Sequence, residues 1–277
     1  MYKILVTDFY DTLINNEEAI SLSTMLEIDK MRNNNALFVV ATSGLFRAIL
    51  DYNMSYIFSD YIISYNGAHI YNTVKDKVVF KKCISLNAIK KISKLNVSNI
   101  AFYTLNSIFY TNKVLDSNYG VKINDIEDFI DFHKKDVYEI RIYDTKENLE
   151  DITKVLNSIN INYYIKNSGK KYYIEIVNNG INKFTASQMI LEKEKIKVNE
   201  MVSIGCSSND YELVKNAGVG ICIKNGDDSI KKIAKYITKK SNTSGVKEVI
   251  DKYFGGWYFE NNCRKRIWTS KVFDWKN

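Results

Sequence analysis

The sequence predicts an α/β fold, in which a doubly wound parallel sheet carries an inserted α+β segment. Three observations predict it. Short apolar runs alternate with helical patterns near both ends of the chain, the middle has a different pattern, and 277 residues suit one large domain with a sizeable insertion. With 45% hydrophobic and 26% charged residues, the composition excludes disorder for most of the chain. There is no proline, so Gly, Asn and Asp must form the turns.

The core is predicted from two groups of elements. Residues 3–8 form a short apolar run that ends in a carboxylate, as expected of a buried parallel strand with a functional carboxyl end. The elements that follow it are a helix at 21–32, a strand at 36–42, a helix at 45–52 and a strand at 61–64. The second group comprises helices at 182–194, 210–216, 227–239 and 244–254 and strands at 201–205 and 219–223.

The middle of the chain is predicted to be an α+β insertion. Its strand-like runs are 100–105, 137–143, 162–166 and 171–177, and its helical segments are 86–95, 126–132 and 146–157. We therefore expect a core domain of residues 1–82 and 182–254, an inserted domain of residues 83–181, and a tail of residues 255–277.

The apolar run at the N-terminus is too short for a signal peptide, and no stretch approaches the ~18 apolar residues of a membrane span. These observations favour a soluble, cytoplasmic protein with no membrane partner. The cysteines are far apart and lack zinc-ligand spacing, which indicates reduced thiols. They are Cys83, Cys206, Cys222 and Cys263.

The net charge of +7 permits a nucleic-acid, membrane or phosphate ligand. However, many of the lysines stand on faces of alternating charge, such as residues 192–195, which are typical of solvated helices. Charge alone therefore does not decide the partner, and we do not expect it to be a nucleic acid.

Polar side chains stand where predicted strands end or helices begin. Asp8 ends the first strand, Thr42 ends the second, Lys183 lies at the start of a helix, and Asn209 and Asp210 follow a later strand. Parallel strands bring such residues to one crevice at the carboxyl edge of the sheet. Carboxylates, a hydroxyl and an ammonium suit a phosphate together with Mg²⁺.

The chain resembles the haloacid dehalogenase (HAD) superfamily, specifically its class IIB phosphatases with a large α/β cap, over about residues 3–254. The motifs that carry the resemblance are DFYDTL at 8–13, AT at 41–42, ISYNGA at 63–68, GINK at 180–183, GCSSND at 205–210 and AGVG at 217–220. The inserted domain would then be the cap, which closes over the site and chooses the substrate.

The resemblance implies roles for particular residues. Asp8 would be the nucleophile that forms an aspartyl-phosphate, with Thr42 as a phosphate donor and Lys183 as a charge clamp. Ser43 and Asn209 would add phosphate contacts.

The resemblance also implies Mg²⁺ as cofactor, bound by Asp8, the backbone carbonyl of Tyr10, and Asp210. The implied function is hydrolysis of a small phosphorylated metabolite, with a sugar phosphate as the expected substrate.

Tyr10 stands where the family has a second Asp, which protonates the leaving alcohol and then activates water. Such a group contributes ~10²–10⁴ in rate, so its loss predicts a slow enzyme. Tyr10 could donate a proton, but a phenol is a poor base at neutral pH. Asp11 could replace the missing base, although a shift of one residue usually turns the side chain another way.

Cys206 stands where the family has an Asp that binds the metal, and a thiol matches Mg²⁺ poorly. We favour its interpretation as a small filler at a strand end over a reactive thiol or a soft-metal ligand. The two departures motivate an alternative hypothesis, a catalytically weak or inactive homologue that binds a phosphorylated ligand or a protein partner.

The tail, residues 255–277, contains all three tryptophans together with basic residues. It could bind a protein partner, a second copy of the chain or a polyanion, or it could pack back on its own domain. A nucleic-acid binder that uses this tail is the third and weakest hypothesis.

Overall fold

The structure is a computed structural model that describes residues 1–15, 19–55, 58–112, 118–133, 136–168 and 171–255. Of the predicted tail, only residue 255 is within this range, and the interpretations that concern residues 256–277 lie outside the described residues. None of the helices in the described ranges combines the length and the apolar character that a membrane span requires.

Strands and helices alternate along the described chain. The strands are β1 Ile4–Thr7, β2 Leu37–Ala41, β3 Tyr61–Ser64, β4 His69–Asn72, β5 Lys77–Lys81, β6 Asn99–Tyr103, β7 Ile108–Tyr110, β8 Gly120–Lys122, β9 Glu139–Asp144, β10 Asn162–Ser168, β11 Lys171–Val177, β12 Met201–Gly205, β13 Val219–Cys222 and β14 Tyr236–Ile237. The helices are α1 Leu22–Asn33, α2 Phe46–Ser55, α3 Leu86–Ile92, α4 Ile126–His133, α5 Lys146–Ser158, α6 Lys183–Glu194, α7 Tyr211–Asn216, α8 Asp228–Lys231 and α9 Asn242–Tyr253.

The predicted α/β fold class is confirmed. One sheet has eight strands in the order β14-β13-β12-β1-β2-β3-β4-β5, and its first six strands run parallel. β1 lies between β12 and β2, with Ile4 opposite both Met201 and Leu37. Since β1 is fully buried at this central position, its carboxyl end brings Asp8 to the middle of the sheet edge.

The sequence predicted a parallel sheet, whereas the eight-stranded sheet also contains antiparallel strands. β4 pairs antiparallel with β3, and β5 pairs antiparallel with β4. A short 3₁₀ turn at Tyr65–Gly67 connects β3 directly to β4, and such a tight connection can join only antiparallel strands.

The strands of the inserted segment form a second sheet, with the order β10-β11-β9-β6-β7-β8. β10 and β11 form an antiparallel hairpin, and β11 continues the pairing with β9. Buried apolar side chains of this sheet pack against α3, α4 and α5 in a cluster that includes Ile89, Phe102, Phe129, Ile140 and Leu156.

The prediction of one helix over residues 227–239 is wrong. The helix α8 covers only Asp228–Lys231, and Tyr236–Ile237 pairs with β13 as an edge strand. Tyr236 lies opposite Ile221 in this pairing, so a tertiary contact overrides the local helical pattern.

Short polar residues begin several of the helices. Ser21, Ser85, Thr145 and Asn182 precede α1, α3, α5 and α6, and each side chain accepts a hydrogen bond from a backbone N–H of the first turn. Because the first N–H groups of a helix lack partners within it, these caps fix where each helix starts.

Candidate active site

Asp8, Lys183 and Asp210 form a buried charged group beyond the end of β1. The Nζ atom of Lys183 lies 2.6 Å from Oδ1 of Asp8 and 2.6 Å from Oδ1 of Asp210. All three residues are buried. Two carboxylates therefore share one ammonium, which leaves one uncompensated negative charge when both are ionised.

Lys183 reaches Asp8 because it lies in the first turn of α6, and the position of α6 depends on Gly67. A Cβ atom on Gly67 would lie 2.4 Å from the carbonyl oxygen of Asn182, and the φ angle of Gly67 is +110°. Asn182 caps α6 by accepting a hydrogen bond from the Thr185 N–H at 2.8 Å. Glycine is thus the residue that permits this close approach.

Asp210 approaches the sheet edge in a similar way, through Gly205 at the end of β12. A Cβ atom on Gly205 would lie 2.4 Å from Cβ of Asp210. The Oδ2 atom of Asp210 accepts hydrogen bonds from the N–H groups of Cys206 at 2.9 Å and Ser207 at 3.0 Å. These bonds fix the turn that follows β12 and direct the other carboxylate oxygen to Lys183.

Burial sets the electrostatics of this group. Burial and repulsion by Asp210 raise the pKa of Asp8 above its ordinary value, although Lys183 opposes the shift. For Asp210, burial also disfavours ionisation, but Lys183 and Lys166 outweigh it and lower the pKa. Burial likewise disfavours the charged form of Lys183, but Asp210 and Asp8 raise its pKa, so the ammonium stays charged at neutral pH.

Thr42 and Ser43 line one wall of the cavity above Asp8. The Thr42 hydroxyl oxygen accepts a hydrogen bond from the Gly44 N–H at 2.9 Å. Because this oxygen accepts, the hydroxyl can donate its own hydrogen to a phosphate oxygen. The carbonyl of Ser43 accepts from Arg141 at 2.8 Å, so a strand of the second sheet supplies a positive charge to this wall.

Tyr10 and Asp11 also line the cavity. Tyr10 is 43% exposed, and burial of its hydroxyl raises its pKa above the ordinary value, so the phenol keeps its proton at neutral pH. Asp11 is exposed, with φ of +59°, and its carbonyl accepts from Asn225 at 2.9 Å. Its role as a substitute base stays a prediction.

The second sheet contributes residues that sequence reasoning missed. The cavity has a volume of about 580 Å³, and Lys166, Tyr173 and Glu175 of the hairpin β10–β11 line it together with Asn209. The Lys166 ammonium donates to the Ser207 hydroxyl at 2.7 Å and to the side-chain oxygen of Asn209. The alternation of residue types along β10 indicated that its side chains point to the two faces of the sheet. Only the register of β10 in the structure shows that Lys166 lies on the face toward the core domain.

Asn209, a predicted phosphate contact, links the two sheets. Its oxygen accepts from Lys166 and Ser207, and its amide nitrogen donates to the Asn66 side-chain oxygen at 2.8 Å. The amide of Asn66 in turn donates to Glu139 and Glu175, at 3.0 Å each. Both ends of Asn209 are therefore engaged, and its contact with phosphate stays a prediction.

Glu139 and Glu175 share Arg141 beneath the second sheet. Arg141 lies 2.6 Å from Glu139 and 3.3 Å from Glu175, and both carboxyl groups are buried. Burial raises the pKa of Glu139 to about 8, and attraction by Arg141 only partly offsets this. For Glu175, burial also favours protonation, but Arg141 and Lys166 lower its pKa below the ordinary value.

The raised pKa of Glu139 predicts that the protein loses stability as pH rises. Glu139 holds its proton in the folded state up to about pH 8, whereas in the unfolded chain it ionises near its ordinary value of 4.5. The folded state thus binds more protons in this window, and the free energy of unfolding falls by a few kcal/mol as pH rises through it.

Urea unfolding between pH 6.5 and 8.5 measures this slope. Lower pH is avoided because burial lowers the pKa of His69 to about 4, so below pH 6.5 the unfolded state binds a proton that folded His69 lacks, and this offsets the slope from Glu139. Glu139→Gln keeps the shape of the side chain but cannot ionise, so it is expected to flatten the dependence of the free energy of unfolding on pH. An equal slope in the parent and in Glu139→Gln would contradict the prediction.

Asp8, Cys206 and Asp210 each place one potential ligand atom within 4.8 Å of the others. Cys206 Sγ lies 3.3 Å from Asp8 Oδ2 and 3.8 Å from the carbonyl oxygen of Tyr10. The oxygens of Asp8 and Tyr10 and the sulfur of Cys206 are atoms that can bind a divalent cation. When both carboxylates are ionised, the buried group has one excess negative charge, which also favours a cation. The oxygens of Asp210 already accept hydrogen bonds from the Lys183 ammonium and from the N–H groups of Cys206 and Ser207. Its role as a metal ligand stays a prediction.

Comparisons with known proteins give consistent results. A family model described as haloacid dehalogenase-like hydrolase matches residues 5–250. The chain is 23% identical over 274 residues to a 5-amino-6-(5-phospho-D-ribitylamino)uracil phosphatase of Bacillus subtilis, and the match covers 91% of this chain and 97% of that protein.

Solved structures share the fold. A haloacid dehalogenase-like hydrolase from B. subtilis has a TM-score of 0.79 at 18% identity, covering 90% of this chain and 99% of that chain. A sugar phosphatase of HAD subclass IIB has a TM-score of 0.75 at 20% identity, covering 91% and 99%. At these identities the similarity shows the fold.

Proposed function

The chain belongs to the haloacid dehalogenase-like hydrolases, and we propose that it hydrolyses a small phosphate monoester through an aspartyl-phosphate at Asp8. One observation carries the proposal: the Lys183 ammonium lies 2.6 Å from Asp8, directly below a polar cavity that Thr42 and Ser43 line. A buried carboxylate held by a fixed cation beside hydroxyl donors suits nucleophilic attack on phosphorus.

In the first step, a carboxylate oxygen of Asp8 forms a bond to phosphorus while the bond between phosphorus and the ester oxygen breaks. Lys183 holds the Oδ1 atom of Asp8 and so fixes the direction of the carboxylate. The Thr42 hydroxyl donates to an oxygen of the phosphoryl group as its charge is redistributed. The departing alcohol oxygen takes a proton, and Tyr10, which lines the cavity as a protonated phenol, can donate it.

In the second step, water attacks the phosphorus of the aspartyl-phosphate, which releases inorganic phosphate and restores Asp8. This step needs a base. After the first step the phenolate of Tyr10 takes a proton back from water, because burial keeps the pKa of Tyr10 above its ordinary value, and the protonated phenol cannot serve as the base at neutral pH. Dephosphorylation should therefore limit the turnover rate, and the phosphoenzyme should accumulate.

A divalent cation belongs to the proposal, with Asp8 and the Tyr10 carbonyl as its oxygen ligands. Bound there, it would offset the negative charges of Asp8 and of the phosphate, which otherwise repel each other. The family resemblance implies Mg²⁺, and adding Mg²⁺ to metal-free protein tests that prediction.

The second sheet supports a small, polar substrate. We propose that residues 83–181 form a cap over the cavity, and Lys166 and Glu175 offer hydrogen-bonding groups to a polyol such as a sugar phosphate. Two similar proteins, a sugar phosphatase and a phosphatase of a ribityl compound, support the same substrate class.

Phosphate release from a panel of sugar and polyol phosphates tests the function. Metal-free protein is assayed alone and with Mg²⁺, Mn²⁺, Co²⁺ or Zn²⁺, so that the result does not depend on the identity of the ion. We expect slow turnover of at least one sugar or polyol phosphate with at least one ion. No release from any compound with any ion would contradict the proposal.

A second candidate function is binding of a phosphorylated ligand with little or no turnover. Tyr10 favours it, because a phenol that keeps its proton stands where the resemblance implies the carboxylate that activates water. Under this candidate, the same compounds would raise the melting temperature of the protein without releasing phosphate.

A further inference from the structure

Cys206 lies where the cation of the proposed reaction would bind. Its Sγ atom is 3.3 Å from Asp8 Oδ2 and 3.8 Å from the Tyr10 carbonyl oxygen, and the residue lines the cavity although it is only 8% exposed. A filler at a strand end would need only apolar neighbours, whereas this sulfur faces two oxygens that can bind a metal.

The separations of these atoms match those around a small tetrahedral ion. With Zn–S of about 2.3 Å and Zn–O of about 2.0 Å, a sulfur and an oxygen on one tetrahedral ion lie ~3.5 Å apart. The two observed distances lie on either side of that value. Each sulfur–oxygen separation is therefore compatible with an ion shared by the two atoms.

Charge leads to the same conclusion. Among the described carboxylates of the site, Asp8 places an oxygen beside the sulfur, whereas the oxygens of Asp210 accept hydrogen bonds from Lys183 and from two N–H groups. As a metal ligand, Cys206 would be a thiolate with its proton released to water, and it would supply a second negative charge. Mg²⁺ binds thiolate poorly, whereas Zn²⁺ and Co²⁺ bind it well.

We propose that Cys206 is a direct ligand of the catalytic cation and makes this site select a borderline ion such as Zn²⁺ or Co²⁺ over Mg²⁺. The proposal rests on the proposed function for the location of the cation. Its test uses a spectrum and binding affinities, so it can fail while phosphatase activity is confirmed.

The experiment loads metal-free protein with Co²⁺ and records its absorption spectrum. A Co²⁺–thiolate bond gives a charge-transfer band in the near ultraviolet, which oxygen ligands alone do not give. We expect the band in the parent and in Cys83→Ser, a control that removes a half-buried thiol not among the cavity-lining residues. We expect no band in Cys206→Ser and Cys206→Asp.

Titration calorimetry with Mg²⁺ and Co²⁺ gives the second readout. Cys206→Asp is expected to shift the affinity ratio towards Mg²⁺ by ~10-fold or more, since a carboxylate then replaces the thiolate. Absence of the band in Co²⁺-treated parent protein, or an unchanged affinity ratio in Cys206→Asp, would overturn the proposal. Phosphate release that requires Mg²⁺, in a parent without the band, would leave the proposed function intact and reject only the role of Cys206.

Discussion

Asp8→Asn is expected to lower the rate of phosphate release by ~10³-fold or more, because it removes the nucleophile while keeping the shape of the side chain. An amide oxygen cannot form the aspartyl-phosphate. Lys183 keeps its second partner, Asp210, at 2.6 Å, so the buried ammonium is not left unpaired and the variant should fold.

Two measurements separate loss of the nucleophile from loss of the fold. Parent protein, quenched in acid during turnover of a labelled substrate, should carry a phosphate label that hydroxylamine releases, and Asp8→Asn should carry none. Asp228→Asn, a change at an exposed side chain that pairs with Lys231 at 3.6 Å, is the matched control and should behave like the parent. Phosphate release by Asp8→Asn at the parent's rate would reject the proposed mechanism.

Tyr10→Asp is expected to raise the turnover rate by ~10²-fold, because it supplies the base that the second step lacks. The ring of Tyr10 lies against Gly44, where a Cβ would be 2.8 Å from it, and it is 43% exposed. A smaller side chain at this surface should cause little loss of stability. With a base present, the phosphoenzyme should no longer accumulate during turnover.

Rapid-quench measurements of the labelled fraction provide the check. The parent should show a burst of product followed by a slow phase, and Tyr10→Asp should show a faster steady state with less label. Tyr10→Phe keeps the ring but removes the hydroxyl group, so it separates the effect of proton donation from the effect of side-chain size. If Tyr10→Asp is slower than the parent and Tyr10→Phe is nearly inactive, the phenol is itself the required acid, and the expected gain is wrong.

Asp11 offers a further comparison with the same assay. Asp11→Asn should slow dephosphorylation only if Asp11 has taken over as the base. Its exposed position and positive φ angle hold the residue at the edge of the cavity, where the side chain of an Asp is tolerated better than that of most residues.

Local patterns predicted elements whose own residues specify them. The helix predicted at 21–32 is found at Leu22–Asn33, with Ser21 as its cap, and the buried run at 3–8 contains β1. The prediction of a helix at 227–239 is wrong because Tyr236 pairs with Ile221 of β13, a contact that the helical pattern of residues 227–239 does not report. β4 and β5 were missed, since the reversal at Tyr65–Gly67 depends on left-handed backbone at residues 65–67.

By itself, the sequence determined the α/β class, the carboxylate at the end of the first strand, and the two departures at Tyr10 and Cys206. These follow from strand and helix periodicity and from the spacing of residues along short segments. Only the tertiary structure decided what those residues contact.

Lys183 meets Asp8 across 175 positions of the chain, and Cys206 meets it across 198. Lys166 reaches the cavity from the second sheet only because the register of β10 turns it towards Asn209. Periodicity reports which face of an element is buried, but not which distant element covers that face, and the chemistry of this site arises from such distant contacts.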